Sequence, residues 1–335
     1  MKPVDPKAFD RKAAEAAKRP VVHEPPMIRT VMDKSDWLIL LTLALIWGGA
    51  FVFIGIAVRH VTPLTYVWLR LSIAAAAMWL FLKVRGEKLG LPRNVWGSIF
   101  LLALLNNALP FTLFGWGQTH IASGLASILN ATTPIWGVLV AHFLTHDERM
   151  SPRKVAGVLL GFGGVATMIG PTLLANIGTD ALAQLACVTA SLSYALAAVW
   201  ARRFKRMGLK PMAVTTGQLS AGALMMLPLA MFVDRPWTHA LPPLSAWAAI
   251  LALALMCTAF GYVLYFRLID SAGATNALLV TLLVPPVAIF LGATFLGETL
   301  APQDFLGLGL IALGLAAIDG RLLSLLRAPR PQTLV

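Results

Sequence analysis

Charged side chains are scarce in this chain of 335 residues, which holds 13% Asp, Glu, Lys and Arg against 58% hydrophobic residues. A soluble domain carries about 25% charged residues to cover its surface, so the composition argues against a soluble multidomain enzyme. Cysteine is also rare. Cys187 and Cys257 both lie inside apolar runs, which excludes a disulfide framework and a cysteine-ligated metal cluster.

Long apolar runs take the place of the missing charge. A helix that crosses a hydrocarbon layer about 30 Å thick needs about 20 mostly apolar residues, and the alternation typical of barrel strands is absent. We therefore predict an all-α polytopic membrane protein with ten transmembrane helices, at residues 37–57, 64–84, 95–116, 121–144, 154–171, 179–201, 211–232, 244–267, 273–296 and 304–323.

Basic residues determine the predicted orientation. With the N-terminus inside, 24 of the 27 Lys and Arg residues fall on the cytoplasmic side, whereas the outer loops hold only Arg59 and Arg235. This asymmetry is the positive-inside signal, so the net charge of +12 indicates topology and no nucleic-acid partner. We predict a multi-pass protein of the cell inner membrane, with a disordered cytoplasmic tail at 1–36 and a second cytoplasmic tail at 324–335.

A weak internal repeat divides the chain into two halves, predicted at 37–172 and 179–323. At a shift of 150 residues the two halves share an ordered series of identical residues. The first half has Glu148, Pro152, Gly157, Gly164 and Gly170, and the second half has Glu298, Pro302, Gly307, Gly314 and Gly320. Five spans per half is an odd number, so the halves enter the membrane from opposite sides. Inverted repeats of this kind are typical of secondary transporters.

Several short motifs carry a family resemblance over residues 37–323. They are Trp47-Gly48 with Phe51, Pro63 with Arg70, Ala122-Ser123 with Pro134, and the series from Glu148 to Gly157. With them the chain resembles the drug/metabolite transporter superfamily, more narrowly its EamA-type ten-helix exporters and the YddG-like amino-acid exporter branch. The resemblance implies export of small metabolites, namely aromatic or hydrophobic amino acids, by alternating access through a central cavity between the repeats.

Polar and aromatic residues at a similar depth in several spans predict where the substrate binds. Amides and hydroxyls there can bond an ammonium or a carboxylate group, while aromatic rings supply an apolar wall. The predicted substrate-binding residues are Trp47, Phe51, Asn106, Asn107, Asn130, Tyr194, Thr258 and Tyr262. The alternative is that these side chains only join helices through interhelical hydrogen bonds.

Arg70 lies six residues inside its predicted span, whereas every other Lys and Arg lies within two residues of a span end or outside the spans. It either extends toward the outer interface, anchors helix packing, or serves as the counter-charge of a substrate carboxylate. No acidic residue lies at mid-span, which disfavours proton antiport on an intramembrane carboxylate. Pro110, Pro134 and Pro285 are predicted to kink their spans and to contribute to gating.

Other functions stay open at this point. Within transport, the substrates could instead be purines, drugs or other metabolites. A membrane-embedded lipid enzyme would need a His-Glu-x-x-His motif or an interfacial carboxylate pair, and the sequence has neither, so we predict no enzyme, no cofactor and no metal. The predicted partners are a small-molecule substrate and the lipid bilayer. Homo-oligomer formation is left open, because the Gly157–Gly161 pattern favours packing within the bundle over dimerisation.

Overall fold

The computed structural model describes residues 32–145, 150–175, 178–277 and 279–319, and within these ranges the chain is helical without a strand. Each predicted span is largely helical over its described residues, although the span at 273–296 contains two helices, Ala274–Ala277 and Val280–Leu296, so the all-α polytopic prediction is confirmed. We label the segments α1 Lys34–Val58, α2 Pro63–Val84, α3 Arg93–Gly117, α4 Ser123–Leu144, α5 Pro152–Ala175, α6 Thr179–Arg206, α7 Pro211–Thr238, α8 Leu244–Ala272, α9 Val280–Leu296 and α10 Pro302–Asp319.

Length and hydropathy qualify most of these segments as membrane spans. Seven of them, α1 to α4 and α6 to α8, have at least 18 residues and an apolar core suited to a bilayer, and α9 is a shorter apolar helix. The predicted tail at 324–335 and most of the tail at 1–36 lie outside the described residues, as does Glu148. Helix α1 begins three residues earlier than predicted, because Asp33 and Asp36 form a reciprocal cap at its start.

Helix packing relates the two halves by an approximate twofold exchange. Helix α1 packs against α8 and α9, and its counterpart α6 packs against α3 and α4. The pairs α2–α7 and α5–α10 each join a helix to its own counterpart. Exchanging α1–α5 with α6–α10 therefore leaves these main contacts unchanged, and the helices α1 and α6 occupy equivalent places beside the centre of the bundle.

The helices α5 and α10 approach each other through the repeated glycines. A Cβ added at Gly157 would lie 2.5 Å from the carbonyl oxygen of Gly314, and one added at Gly164 would lie 2.6 Å from that of Gly307. Small residues allow such close approach of helix backbones. The glycine pattern thus packs α5 against α10 inside one molecule.

Three irregularities interrupt the spans near the middle of the bundle. The third and eighth helices each contain a π-helical stretch, at Leu104–Ala108 and Ala252–Phe260. Helix α4 is broken between Asn130 and Thr133. Wide turns of this type are rare and often lie at functional sites, because they redirect side chains and free carbonyl groups.

Candidate functional site

Arg70 projects from α2 into the protein and is only 6% exposed. Its Nε donates a hydrogen bond to Thr258 Oγ1 at 2.9 Å, and its guanidinium lies 3.7 Å from the centre of the Phe111 ring. Among the residues that the structure describes, no carboxylate comes within ion-pair distance of it. The extension of Arg70 to the outer interface, one of its predicted roles, is therefore wrong, because the burial and the bond to α8 hold it inside.

Thr258 is held for this contact by the π-helical stretch of α8. Its hydroxyl donates to the carbonyl of Leu253, five residues earlier, at 2.7 Å. The proton of the hydroxyl is thus used within the helix, and a lone pair of Oγ1 is left for the Arg70 guanidinium. The wide turn places a fixed acceptor beside a buried cation.

A group of amides surrounds the Tyr262 hydroxyl. Asn106 Nδ2 donates to Tyr262 Oη at 2.9 Å and lies 3.3 Å from Gln218 Oε1, while Asn107 Nδ2 lies 3.5 Å from the same hydroxyl. Thr258, the hydrogen-bond partner of Arg70, lies four residues before Tyr262 on α8. We call Arg70, Asn106, Asn107, Gln218, Thr258 and Tyr262 the polar cluster.

Asn107 contributes a buried, unused side-chain acceptor to the polar cluster. The residue is fully buried, and its Oδ1 has no hydrogen-bond partner among the described residues. A buried acceptor without a partner costs about 1–3 kcal/mol. A polar ligand that donated a hydrogen bond to Asn107 Oδ1 would remove this cost.

Aromatic rings form the neighbouring wall. Phe51 packs edge-on against Phe114 with ring centres 5.6 Å apart, and Phe114 stacks on Tyr194 at 6.1 Å. Trp47 lies against Tyr265 at 5.3 Å, and its Nε1 donates to the Cys257 carbonyl at 3.1 Å. That carbonyl belongs to the π-helical stretch of α8, so the indole N–H already has a hydrogen-bond partner inside the protein. The face of the Trp47 ring is then the part that can contact a substrate.

Asn130 differs from the other two predicted amides, Asn106 and Asn107, because its side chain makes no described hydrogen bond to the polar cluster. It stands at the break in α4, where Thr133 Oγ1 donates to its carbonyl at 2.7 Å and lies 3.5 Å from its Oδ1. Pro134 follows this break, and Pro110 follows the π-helical stretch of α3. Pro285 lies inside the continuous helix α9.

Gln218 is the member of the polar cluster that the predicted site omits. It is 3% exposed, and its Oε1 accepts a hydrogen bond from Asn106 Nδ2. The sequence did contain a signal, since Gln218 stands at a shift of 148 residues from Arg70. Because α2 and α7 pack together, the two equivalent positions of the repeat fall on neighbouring helices and their side chains reach one cluster.

Comparison with known proteins gives the family. The model of the EamA-like transporter family matches this chain twice, at residues 35–170 and 181–318. The chain is 28% identical to the "Uncharacterized transporter YoaV" of Bacillus subtilis, over 82% of this chain and 94% of that protein. It is 26% identical to the "Uncharacterized inner membrane transporter YedA" of Escherichia coli K12, over 83% of this chain and 89% of the relative.

A solved crystal structure has the same fold. It superposes with a TM-score of 0.62 at 20% identity, over 89% of this chain and the whole of the other. The twofold helical architecture, the two family matches and the relatives named as transporters all agree. The chain belongs to the EamA-like transporter family within the drug/metabolite transporter superfamily, and it is a polytopic helical membrane protein.

Proposed function

We propose that the protein exports amino acids with aromatic or hydrophobic side chains across the cell inner membrane by alternating access. The observation that carries this proposal is Arg70, a buried guanidinium without a carboxylate partner among the described residues. Burying an uncompensated charge is costly, so a substrate carboxylate is its natural counterion. A carboxylate accepts two parallel hydrogen bonds from a guanidinium in a fixed geometry.

The surroundings of Arg70 fit the rest of such a substrate. The unused Oδ1 of Asn107 is an acceptor for an ammonium group, and Phe51, Phe114 and Tyr194 offer an apolar wall for the side chain. These groups come from both halves of the molecule. Rocking one half against the other would expose the polar cluster to each side in turn, as in other transporters built from inverted repeats.

Substrate flux through the purified protein in liposomes tests the proposal directly. The panel contains L-phenylalanine, L-leucine, a purine base and a quaternary ammonium drug. We expect flux of the two amino acids and none of the drug, because a cation would meet the uncompensated Arg70. Flux of the purine or the drug without amino-acid flux would overturn the assignment and favour the other branches of the superfamily.

A hydroxyl deletion should separate a substrate contact from helix packing. Tyr262→Phe removes the hydroxyl oxygen that accepts hydrogen bonds from the Nδ2 groups of Asn106 and Asn107. Both amide groups lose this partner. Loss of a neutral hydrogen bond costs about 0.5–1.5 kcal/mol, so we expect a 2- to 12-fold change in substrate affinity and an altered ranking of L-phenylalanine against L-leucine.

Tyr265→Phe is the matched control for this change. The Tyr265 ring packs on Trp47 and its hydroxyl makes no described hydrogen bond. The substrate affinity of the Tyr265→Phe variant, and its ranking of L-phenylalanine against L-leucine, should stay unchanged. If Tyr262→Phe lowered thermal stability but left the ranking of substrates intact, the polar cluster would serve only helix packing.

Cytoplasmic termini are part of the proposal and can be tested with single cysteines. Leu241 is exposed in the α7–α8 connection and Lys205 is exposed in the last turn of α6, while the native Cys187 and Cys257 are buried. In intact spheroplasts we expect an impermeant maleimide to label Leu241→Cys and to leave Lys205→Cys unlabelled until the membrane is opened. Labelling of both from one side would contradict the ten-span arrangement.

A further inference from the structure

A cavity open to the surface lies at one end of the bundle, away from the polar cluster. Its volume is about 340 Å³, and it is lined by the end of α1, the end of α3, the start of α4 and the segment between α9 and α10. Gly55 in its wall stands eight residues beyond Trp47 along α1, which corresponds to about 12 Å. By the proposed topology this end faces the outside. We call this space the outer cavity.

Gln118 contributes an unused amide to the outer cavity. The residue is 8% exposed, and neither its Nε2 nor its Oε1 has a hydrogen-bond partner among the described residues. A Cβ added at Gly55, another wall residue, would lie 3.7 Å from Gln118 Oε1. A buried amide with a free donor and a free acceptor in a cavity wall points to a polar ligand.

Glu298 provides a carboxylate in the same wall. Its Oε1 accepts the backbone N–H of Ser123 at 2.9 Å, and its Oε2 accepts the Ser123 hydroxyl at 2.7 Å and the Gly124 N–H at 3.3 Å. Two carboxylate oxygens accept about four hydrogen bonds, so Oε1 keeps a free lone pair. These bonds fix the charge of Glu298 at the edge of the cavity.

Two helix ends add to the negative potential. Helix α1 ends at Val58 and α3 ends at Gly117, and neither has a basic residue in its last turn. The unpaired carbonyls at a helix C-terminus carry a partial negative charge that favours a cation. Arg59 and His120 also line the cavity but from its exposed side. The start of α4 also lies in the wall, and its Ser123 and Gly124 N–H groups are used by Glu298. The free lone pair of Glu298 and the two helix C-termini therefore favour a cationic group at the inner wall, and the rim favours an anionic one.

We propose that the outer cavity is a second binding site for a free α-amino acid, which holds the substrate between the polar cluster and the outside. The ammonium group binds Glu298 and Gln118, and the carboxylate faces Arg59 at the rim. The proposal rests on the proposed function for the identity of the ligand. The volume is within the range of small-molecule sites, about 300–1,000 Å³.

Protection of a cysteine at the cavity rim tests the site without any transport measurement. Thr119 is exposed and lines the cavity, whereas the native Cys187 and Cys257 are buried. In Thr119→Cys protein in lipid nanodiscs we expect L-phenylalanine and phenethylamine to slow maleimide labelling at least threefold and saturably. We expect 3-phenylpropionate, which lacks the ammonium group, to have no effect.

Three variants on this background assign the contacts. Gln118→Leu should raise the half-protecting concentration of both amines at least fivefold. Arg59→Gln should weaken protection by L-phenylalanine and leave that by phenethylamine unchanged, because only the amino acid has a carboxylate. Arg235→Gln, which removes the other arginine predicted in an outer loop, should change neither.

Two results would overturn the second site. The first is that no amine slows the labelling of Thr119→Cys protein at millimolar concentration. The second is that protection disappears when Arg70→Gln is added, since the effect would then be transmitted from the polar cluster. A failure of the proposed function is distinct, because it would leave labelling protection intact and appear as absent amino-acid flux in liposomes.

Discussion

Arg70→Gln should lower the affinity for a carboxylate-bearing substrate by roughly 10- to 150-fold and should not lower thermal stability. A hydrogen bond to a charged group contributes about 1.5–3 kcal/mol, which corresponds to that range of affinity. Stability should stay equal or rise, because the guanidinium is 6% exposed and no described carboxylate compensates its charge, and removing a buried uncompensated charge relieves a desolvation cost.

Substrate affinity and thermal stability should respond differently to this substitution, and the difference distinguishes a substrate-binding role of Arg70 from a helix-packing role. A residue that only anchored α2 against α8 through Thr258 would lose stability on substitution, and its substrate affinity would change little. Flux of L-phenylalanine and the melting temperature of the purified protein are the two measurements. Full transport together with a lower melting temperature would show that Arg70 is a packing residue.

Arg85→Gln is the matched control. Arg85 also pairs through Nε and also lies over a phenylalanine ring, that of Phe81, but it is exposed in the segment after α2. Its partner Glu87 is a surface carboxylate, and exposed ion pairs contribute about 0–1 kcal/mol. Affinity and flux should be unchanged in this variant, which shows that loss of an arginine charge alone does not impair transport.

Much of the fold could be predicted from the sequence, because the bilayer imposes helix length and composition directly. Each apolar run of about 20 residues became largely helical. Equal depth within the predicted spans relates Asn107 and Thr258, but the span boundaries do not say which side chains meet. The contacts of Asn106 with Tyr262 and of Arg70 with Thr258 depend on how the helices pack and come from the structure.

Departures from regular helix limited the prediction of the site. The fourth span was predicted as one helix over 121–144 with a kink at Pro134, but α4 breaks earlier, after Asn130, and the Asn130 carbonyl accepts a hydrogen bond from Thr133 Oγ1. Trp47 gives its N–H to a carbonyl that the π-helical stretch of α8 provides. Neither the break nor the wide turn has a signature in hydropathy, since both depend on tertiary packing.

Long-range pairing of polar residues at helix ends was equally inaccessible. The sequence indicates Glu298 only as the counterpart of Glu148 in the repeat, and its contact with Ser123 joins positions 175 residues apart. Gln118 did not stand out, because an amide at the end of a span is ordinarily solvated. Which helix ends adjoin each other is set by the twofold packing, so the outer cavity follows only from the structure.

Gly164→Ala should destabilise the folded protein, whereas Gly163→Ala, one residue away, should not. The new Cβ at Gly164 would lie 2.6 Å from the Gly307 carbonyl oxygen, and backbone cannot yield as a flexible side chain can. At Gly163 the Cβ meets open space, and alanine is the better helix former by up to about 1 kcal/mol in water. We expect a loss of about 1–3 kcal/mol at Gly164, as for other overpacked sites, and no loss at Gly163.

The free energy of unfolding in SDS measures both changes, and α10 offers a second matched pair. A Cβ at Gly314 would lie 2.5 Å from the Gly157 carbonyl oxygen, whereas one at Gly309 meets open space. Gly314→Ala should therefore behave like Gly164→Ala, and Gly309→Ala like Gly163→Ala. Because α5 and α10 contact each other within one molecule, the loss should not depend on protein concentration. A loss that grew on dilution would instead indicate that these glycines join two copies of the chain.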